Sequence, residues 1–353
     1  MTDPIGLLAG LLEISSPTGE EAKAAGYLSH AMSSLGYRAE IDETGNVVGR
    51  LGQGPRQLLL VGHIDTVPGE IEVRRDGDHL YGRGAVDAKG PLACFVTAAA
   101  QLGAITGWTT TVVGAVGEEG HSEGAKYLRD HYPPADYLVI GEPSGWQQVV
   151  LGYKGSLWLE YAIEQPQAHS AGRDPSACDR AVSFLHSLDG LALEHNSRQS
   201  KRFDQLTYSL QEMGSCQDGF TQSARLGINL RLPPGINYAG LEKRLYGVSA
   251  PGKVSIIDYT PAYKAEKNTL LVRSLLAAIR QRGGKPTFVV KSGTSDMNIL
   301  GPAWNCPALA YGPGDSELDH SPNEHISIGE YLQGIDVLAA ALTNLTEESE
   351  PTQ

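Results

Sequence analysis

The chain has 353 residues, enough for two domains or for one large domain with an insertion. A formal net charge of −13 argues against general nucleic-acid binding, which needs a basic face. No run of about 18 apolar residues occurs, so we expect no transmembrane helix and no membrane partner. The four cysteines have no CxxC spacing, and no basic segment precedes the first apolar stretch. Together these features predict a cytoplasmic protein.

Short apolar strands alternate with helices in the first part of the chain. The leucines at 7, 8, 11 and 12 recur at helical spacing, and the Thr- and Val-rich run 109–116 is typical of a strand. This alternation predicts a parallel or mixed sheet covered on both faces by helices. The predicted helices are 7–12, 22–35, 90–102 and 122–131, and the predicted strands are 58–61, 109–116 and 137–140.

A smaller α+β unit is expected to begin near residue 156. Its predicted strands are 157–163, 206–213, 223–230 and 254–260, and its predicted helices are 177–191 and 238–246. The first pattern then resumes with a helix at 269–282, a strand at 307–311 and a helix at 328–342. We therefore expect an α/β domain with a central mixed sheet, formed by 1–155 and 265–353, and an inserted α+β domain at 156–264.

Residues that can bind metal ions or move protons follow the predicted strands. His63 and Asp65 stand two apart at the end of strand 58–61, so their side chains emerge on the same face. His63 could bind a metal through one ring nitrogen while Asp65 orients the ring. Taken alone, such a pair more often points at water from a surface strand end, since short motifs of this kind are weak.

Four carboxylates and a second histidine have comparable positions. Asp87 lies in a glycine-rich loop before a small-residue helix, where it could reach two ions or simply cap the helix. Glu118 and Glu119 follow strand 109–116 and point in different directions, so one could bind a metal and the other act as general base. Glu142 and His320 also follow predicted strands, and each alone would be a solvated surface residue.

Considered together, these positions indicate one shared site. In open α/β sheets, ligands bind beyond the carboxyl ends of the strands, which is where these side chains are predicted to lie. Two histidines and three carboxylates without cysteine suit a pair of divalent ions such as zinc, with one carboxylate shared. The residues concerned are His63, Asp87, Glu119, Glu142 and His320.

The residues stand in motifs that resemble those of the M20 metallopeptidases. The motifs are GHIDTVP at 62–68, GRGAVDAKG at 82–90, EE at 118–119, GEP at 141–143 and HSPNE at 320–324, and the resemblance spans about residues 5–345. It implies a metal-dependent, exopeptidase-like hydrolase of amide bonds with two divalent metals. Zinc is expected, with cobalt or manganese as alternatives. The inserted domain would be a ferredoxin-like lid that dimerises.

The resemblance also implies a role for each site residue. The implied metal ligands are His63 and Glu142 for one ion, Glu119 and His320 for the other, and Asp87 bridging both. Glu118 is the implied general base, and Asp65 is the acidic helper of the first histidine motif.

Further residues of the inserted domain resemble a substrate site. The sequence AHSA at 168–171 resembles the histidine motif that in dimeric members reaches the partner's active site and stabilises the oxyanion, although alanine replaces the usual glycine before His169. Asn229 and Arg231 resemble a carboxylate-holding pair, with a structural ion pair as the alternative. Thr294 lies in a stretch that resembles a substrate-side loop.

Two other classes of function compete with this prediction. The sequence GHSEG at 120–124 fits the GxSxG motif of serine hydrolases. A nucleophile elbow needs its serine directly after the strand, whereas five residues separate Val116 from Ser122. A non-enzymatic metal-binding protein on the same fold is disfavoured, because every matched metal and base position is present. No phosphate-binding loop motif occurs, so nucleotide hydrolysis is not expected.

The expected substrate comes from one branch of the family. The chain most resembles hydrolases that release lysine or ornithine from the C-terminal glutamate of a small acidic amino-group carrier protein, in lysine or arginine biosynthesis. The alternatives are an acetylornithine deacetylase, a succinyl-diaminopimelate desuccinylase, or a dipeptidase or carboxypeptidase. At 83–91 the chain reads RGAVDAKGP, where the deacetylases and desuccinylases tend to read ADMKG in place of the VDAKG at 86–90.

Charge provides a separate indication of the partner. Residues 156–264 hold eleven basic and eleven acidic side chains, so the whole net charge of −13 lies elsewhere in the chain. An acidic carrier should therefore approach the inserted domain, where the basic residues expected to meet it are Arg198, Lys201, Arg202 and Arg225. A homodimer is also expected.

Overall fold

The computed structural model describes residues 3–167, 169 and 172–348. The helices are α1 Pro4–Leu12, α2 Ala22–Ser34, α3 Lys89–Leu102, α4 Glu123–His131, α5 Ala177–Asn196, α6 Tyr238–Ser249, α7 Leu270–Gln281, α8 Met297–Trp304 and α9 Ile328–Glu348. The first strands are β1 Arg38–Ile41, β2 Val47–Gly52, β3 Arg56–His63, β4 Arg74–Asp76, β5 His79–Tyr81, β6 Trp108–Ala115, β7 Tyr137–Gly141 and β8 Gln148–Tyr153. The later strands are β9 Gly155–Pro166, β10 Thr207–Gln217, β11 Thr221–Leu232, β12 Lys253–Thr260, β13 Tyr263–Lys264, β14 Thr287–Lys291, β15 Ala308–Tyr311 and β16 His325–Ser327.

The chain divides into two compact units. The larger unit comprises Met1–Gly152, Ala265–Val290 and Ser295–Gln353, and the smaller unit comprises Tyr153–Lys264 and Lys291–Thr294. Among the described residues, no helix combines the length and apolar character needed to cross a membrane.

A mixed sheet forms the centre of the larger unit. Its strand order is β1-β2-β6-β3-β7-β15-β8, and β14 also pairs with β8. Strand β3 runs parallel to β6 and β7, and β15 runs parallel to β7, while β2 is antiparallel to β6. The predicted α/β class with a central mixed sheet is confirmed. The carboxyl ends of four parallel strands therefore lie along one edge of the sheet.

Continuous burial explains why these central strands read as apolar runs. All eight residues of β6 and the last six of β3 are buried. Small and apolar residues occupy α3, whose first eleven residues are buried. Strands enclosed on both faces cannot alternate apolar and polar positions, so their pattern is a short apolar block.

The smaller unit has the element order β-α-β-β-α-β, which is that of a ferredoxin-like fold. Its antiparallel sheet has the strand order β10-β11-β9-β12. Helix α5 begins with a capping box, because the Ser176 hydroxyl accepts from the Asp179 amide and the Asp179 carboxylate accepts from the Ser176 amide. One face of the sheet packs on α5 and α6 through a core that includes Leu159, Phe184 and Leu245.

Candidate metal centre

His63 lies at the carboxyl end of β3 with its ring buried. Its Nδ1 is 2.9 Å from the backbone oxygen of Asp65 and 3.4 Å from the Asp65 carboxylate. A hydrogen bond from Nδ1–H to that carbonyl favours the tautomer whose free lone pair is on Nε2. Nε2 faces Asp87 Oδ1 at 3.1 Å. The ring therefore presents to the carboxylates the nitrogen that a metal ion could bind.

The two carboxylate oxygens of Asp87 face different histidines. Oδ1 lies 3.1 Å from His63 Nε2, and Oδ2 lies 3.1 Å from His320 Nε2. His320 Nε2 is also 3.0 Å from Glu119 Oε1. His320 has φ +58°, in the left-handed region that residues other than glycine rarely adopt. The loop that contains His320 therefore adopts an uncommon backbone conformation at the residue whose ring faces Asp87.

Asp65 holds the turn that carries the paired glutamates. Its Oδ1 accepts from the Glu118 amide at 3.1 Å, and its Oδ2 accepts from the Glu119 amide at 3.0 Å. Oδ2 also accepts from the Thr18 hydroxyl at 2.8 Å. The side chain thus connects the His63 strand end to the Glu118–Glu119 turn. This buried carboxylate fixes the orientation of both elements.

The ionisation of the histidine–carboxylate network follows from its surroundings. Burial lowers the pKa of His63, but hydrogen bonds with Asp65 and Asp87 outweigh it and raise this pKa well above 6.5. Hydrogen bonds with Asp87 and Glu119 raise the pKa of His320 to about 10. Burial raises the pKa of Asp87, but both histidines outweigh it and lower this pKa. Without metal, these shifts therefore favour the protonated form of both histidines and the charged form of Asp87.

The pKa values of Glu118 and Glu142 shift upward, in the direction opposite to that of Asp87. Burial is the main cause that raises the pKa of each well above 4.5. Neighbouring carboxylates add to the effect, and both groups interact with Asp296. Burial also raises the pKa of Asp296 to about 6. Several carboxylates thus share a dry region that lacks enough positive charge, which is the condition that divalent cations relieve.

The donor set fits divalent metal ions. Among the described residues, two groups of three possible donors have their atoms within 4.8 Å of one another, and Glu119 belongs to both. One group is His63, Glu118 and Glu119, and the other is Asp87, Glu119 and His320. Glu142 is in neither group, but it follows β7 directly, is buried, and interacts electrostatically with Asp87 and His63. Imidazole and carboxylate donors together suit zinc, cobalt or manganese.

The predicted residues of the smaller unit fall into two places. Asn229 is buried on β11, where its Nδ2 donates to Ser156 Oγ at 2.7 Å. Arg231 lies two residues further along the strand and donates to Thr294 Oγ1 at 3.4 Å. His169 is exposed after β9, and the other members of its motif, 168, 170 and 171, lie outside the described residues.

Three residues that meet at the site were not predicted as members of it. Glu324 stands inside the HSPNE motif, and Asp296 ends the stretch SGTSD at 292–296 that contains Thr294, so the signal was present although no role was assigned to either residue. Thr18 carries no signal of its own, because only the fold brings it to Asp65.

The serine-hydrolase alternative does not match the local geometry. Strand β6 ends at Ala115, and Ser122 stands at the N-terminus of α4 after an intervening turn. Its side chain interacts with Asp296, whose pKa it lowers against the larger effect of burial. A nucleophile elbow would place the serine at the strand-to-helix turn itself.

Comparison with known proteins relates this geometry to one family. The profile of peptidase family M20/M25/M40 matches residues 59–344. A protein of Deinococcus radiodurans named LysW-lysine hydrolase is 41% identical over 351 residues, which cover 96% of each chain.

Solved structures show the same fold at lower sequence identity. The M20 family metallo-carboxypeptidase Sso-CP2 from Sulfolobus solfataricus superposes with a TM-score of 0.81 at 18% identity, covering 98% of this chain and all of that one. The Bacillus subtilis YXEP protein, described as a dinuclear metal-binding peptidase of family M20, gives a TM-score of 0.71 at 11% identity, covering 96% and 97%.

Proposed function

The chain belongs to peptidase family M20/M25/M40, and from that membership we propose that it is the hydrolase that releases lysine, and ornithine by the same chemistry, from the carrier protein LysW. The bond cleaved joins the γ-carboxyl of the carrier's C-terminal glutamate to the α-amine of the amino acid. The chemical part of the proposal rests on one observation, the position of Asp87 between His63 and His320 at 3.1 Å from each. The near full-length relative supports the substrate.

The metal ligands that we propose form two sets. His63 and Glu142 would hold one ion, Glu119 and His320 would hold the other, and Asp87 would be shared by both. When bound, the two ions lower the pKa of water and polarise the scissile carbonyl. Zinc is the metal we propose, because the donors are nitrogen and oxygen atoms in a small, largely buried site.

Glu118 is the proposed general base. Its Oε2 lies 3.9 Å from His63 Nε2, beside the proposed ligands. In the metal-free site, burial and the neighbouring carboxylates raise the pKa of Glu118, so this carboxylate accepts a proton more readily there than an ordinary glutamate does. In the proposed cycle Glu118 takes a proton from the attacking water and passes it to the amine that leaves. Asp65 acts as a positioning residue, since it accepts from the Glu118 amide.

The residues of the smaller unit are proposed to act on the substrate. Asn229, Arg231 and Thr294 would hold a substrate carboxylate, for which an arginine fork is well suited. His169 would stabilise the oxyanion in the active site of a second subunit.

A mixing experiment tests this role of His169. When the His169→Ala and Glu118→Gln variants are mixed, part of the activity should return, because one active site of the heterodimer would contain both residues. No recovery of activity in verified heterodimers would reject the role.

A homodimer through the smaller unit has support in its sheet. Strand β10 is an edge strand in the observed order and exposes Leu210 and Met213. An exposed edge with apolar side chains is a ready site for pairing with another copy of the chain.

The cytoplasm is the location that we propose for this protein. The free thiols of Cys178 and Cys216 are exposed, which suits a reducing compartment.

The carrier is proposed to dock on basic residues of the smaller unit. Arg198, Lys201 and Arg202 are exposed around the end of α5. Arg225 is also exposed, but its guanidinium lies 3.4 Å from Glu160, so part of its charge is already balanced. We therefore assign the main attraction to the first three residues. Charge attraction of this kind speeds association and weakens with salt.

A comparison of rates tests the proposal. The purified enzyme is loaded with zinc or cobalt and given four substrates: carrier-linked lysine, carrier-linked ornithine, N-acetylornithine and N-succinyl-diaminopimelate. The proposal predicts the highest kcat/KM for a carrier conjugate, with a clear decrease as salt is added. Faster turnover of either small substrate would instead identify a deacetylase or desuccinylase.

A further inference from the structure

Glu324 is a fully buried carboxylate that the proposed chemistry leaves unused. Its Oε1 accepts from the backbone amides of Val86 at 2.9 Å and Asp87 at 3.1 Å. Its Oε2 accepts from Arg83 Nη1 at 2.8 Å. Both carboxylate oxygens are therefore engaged, and one bond goes to the main chain of Asp87 itself.

These contacts join two loops that are far apart in the sequence. The backbone oxygen of Glu324 accepts from the Gly82 amide at 3.3 Å. Arg83 Nη1 donates to the Ser321 carbonyl at 3.2 Å, and Arg83 Nε donates to the Gly69 carbonyl at 3.2 Å. The loop that carries Asp87 is thus bonded to the loop that carries His320 by side-chain and main-chain contacts.

The arrangement sets the position of Asp87. Two adjacent amides donating to one oxygen fix the two peptide planes that lead into Asp87, namely Ala85–Val86 and Val86–Asp87. Its side chain then has few ways to place one oxygen toward His63 and the other toward His320. A buried carboxylate would be costly here without its guanidinium and amide partners, so the contacts are interdependent.

We propose that Glu324, supported by Arg83, is a positioning residue that sets the affinity of the site for its second metal ion. The inference rests on the proposed function only in taking Asp87 as the bridging ligand. Partners of this kind usually change metal affinity about 10- to 100-fold when they are removed. Glu324 touches neither substrate nor metal in this account and acts through the backbone of Asp87.

Two variants and a control separate positioning from general stability. Glu324→Gln keeps the size of the side chain but sets an amide against the guanidinium or against the two backbone donors. Arg83→Met leaves the bonds from the Val86 and Asp87 amides in place, and removes the cation together with its bonds to the Ser321 and Gly69 carbonyls. The control, Tyr37→Phe, removes a buried hydrogen bond in the same unit, from the hydroxyl to the Val96 carbonyl at 2.6 Å, and touches no site residue.

The readouts are metal binding and the cobalt spectrum, without substrate. Metal-free proteins are titrated with zinc in a calorimeter, and the visible spectrum is recorded as cobalt is added. We expect Glu324→Gln to weaken the second binding step about 10- to 100-fold and to alter the spectrum of the two-cobalt form. Arg83→Met should give a smaller loss, and Tyr37→Phe should bind as the wild type does.

Two results would overturn the inference. One is wild-type affinity and an unchanged cobalt spectrum in folded Glu324→Gln. If that variant does not fold, Arg83→Met decides, and binding equal to that of Tyr37→Phe rejects the positioning role. A wild-type protein that takes up no pair of metals would be a different failure, since it would refute the proposed function itself.

Discussion

Glu118 combines three properties at the scale of single residues. It is close to both histidine and carboxylate donors, its main chain is fixed by Asp65, and burial raises its pKa. The charges of Glu142, Asp296 and Glu119 raise this pKa further, while His63 opposes them. A carboxylate in these surroundings binds a proton more strongly than one in water, which suits a group that first takes and then returns it.

Replacing the proposed base should separate catalysis from metal binding. We expect Glu118→Gln to retain both metals and to lose turnover by about 10²- to 10⁴-fold, the usual effect of losing a general base. Glu123→Gln, on the exposed start of α4, is the matched control and should be fully active. Steady-state rates and metal analysis of the same samples decide. A metal-replete Glu118→Gln that keeps wild-type activity contradicts the assignment.

The pKa of His320 predicts a pH dependence of metal stabilisation. In the metal-free protein this pKa is raised to about 10, above the ordinary 6.5, so the contribution of His320 to stability is present below pH 6.5 and declines toward pH 10. A metal ion needs the neutral ring and must displace the proton. The rise in melting temperature on adding zinc should therefore increase from pH 6 to pH 9. A rise that is constant or decreases with pH would contradict this.

The spacing of two between His63 and Asp65 predicted that their side chains emerge on the same face, and a shared site followed only when the other motifs were considered with them. What the sequence could not show is that Asp65 accepts from the Glu118 and Glu119 amides. That contact depends on β3 lying parallel to β6 with Gly62 opposite Gly114, a pairing between residues far apart in the chain. The same limit applies to Thr18.

At the scale of elements, strongly apolar or periodic segments were predicted well and weakly patterned ones were missed. The buried helix expected at 90–102 is observed as Lys89–Leu102. Strand β1 was missed because it has only four residues, of which two are charged and three are exposed, as an edge strand permits. Helix α8 was missed because it has only eight residues and contains Pro302.

Gly141, at the end of β7, is closely packed against α3 and β3. A Cβ added to Gly141 would lie 3.0 Å from the Phe95 ring on α3 and 3.2 Å from the Cα of Gly62 on β3. Gly141→Ala should therefore destabilise the protein by about 1–3 kcal/mol, as overpacking does, and displace the adjacent Glu142. Gly26→Ala, where a Cβ meets nothing within 4 Å on α2, should be neutral or slightly stabilising. Urea unfolding measures both, and equal stabilities would refute the packing argument.

At the scale of the whole molecule, charge is distributed unevenly along the chain. The segment 156–264 is neutral, and the net −13 lies outside it. The acidic remainder of the protein would repel an acidic carrier, whereas the exposed basic residues of the smaller unit would attract it. This difference is expected to act on the association rate more than on the chemical step.

Charge reversal tests the proposed docking residues. Lys201→Glu together with Arg202→Glu should lower kcat/KM for carrier-linked lysine about tenfold or more at low salt, with little change in kcat. The matched control reverses the exposed Arg273 and Arg280 on α7 of the larger unit. Equal losses in the two double variants, or a loss unaffected by salt, would remove these residues from the docking surface.

Isotope labelling during a single turnover tests the central claim most directly. Carrier-linked lysine is incubated with the zinc-loaded enzyme in water enriched in oxygen-18, and the masses of the products are measured by mass spectrometry. If water attacks the γ-glutamyl carbonyl, the carrier returns with a free C-terminal glutamate containing one heavy oxygen, and the released lysine contains none. An intact conjugate, heavy oxygen in the lysine, or cleavage at another bond of the carrier would contradict the account.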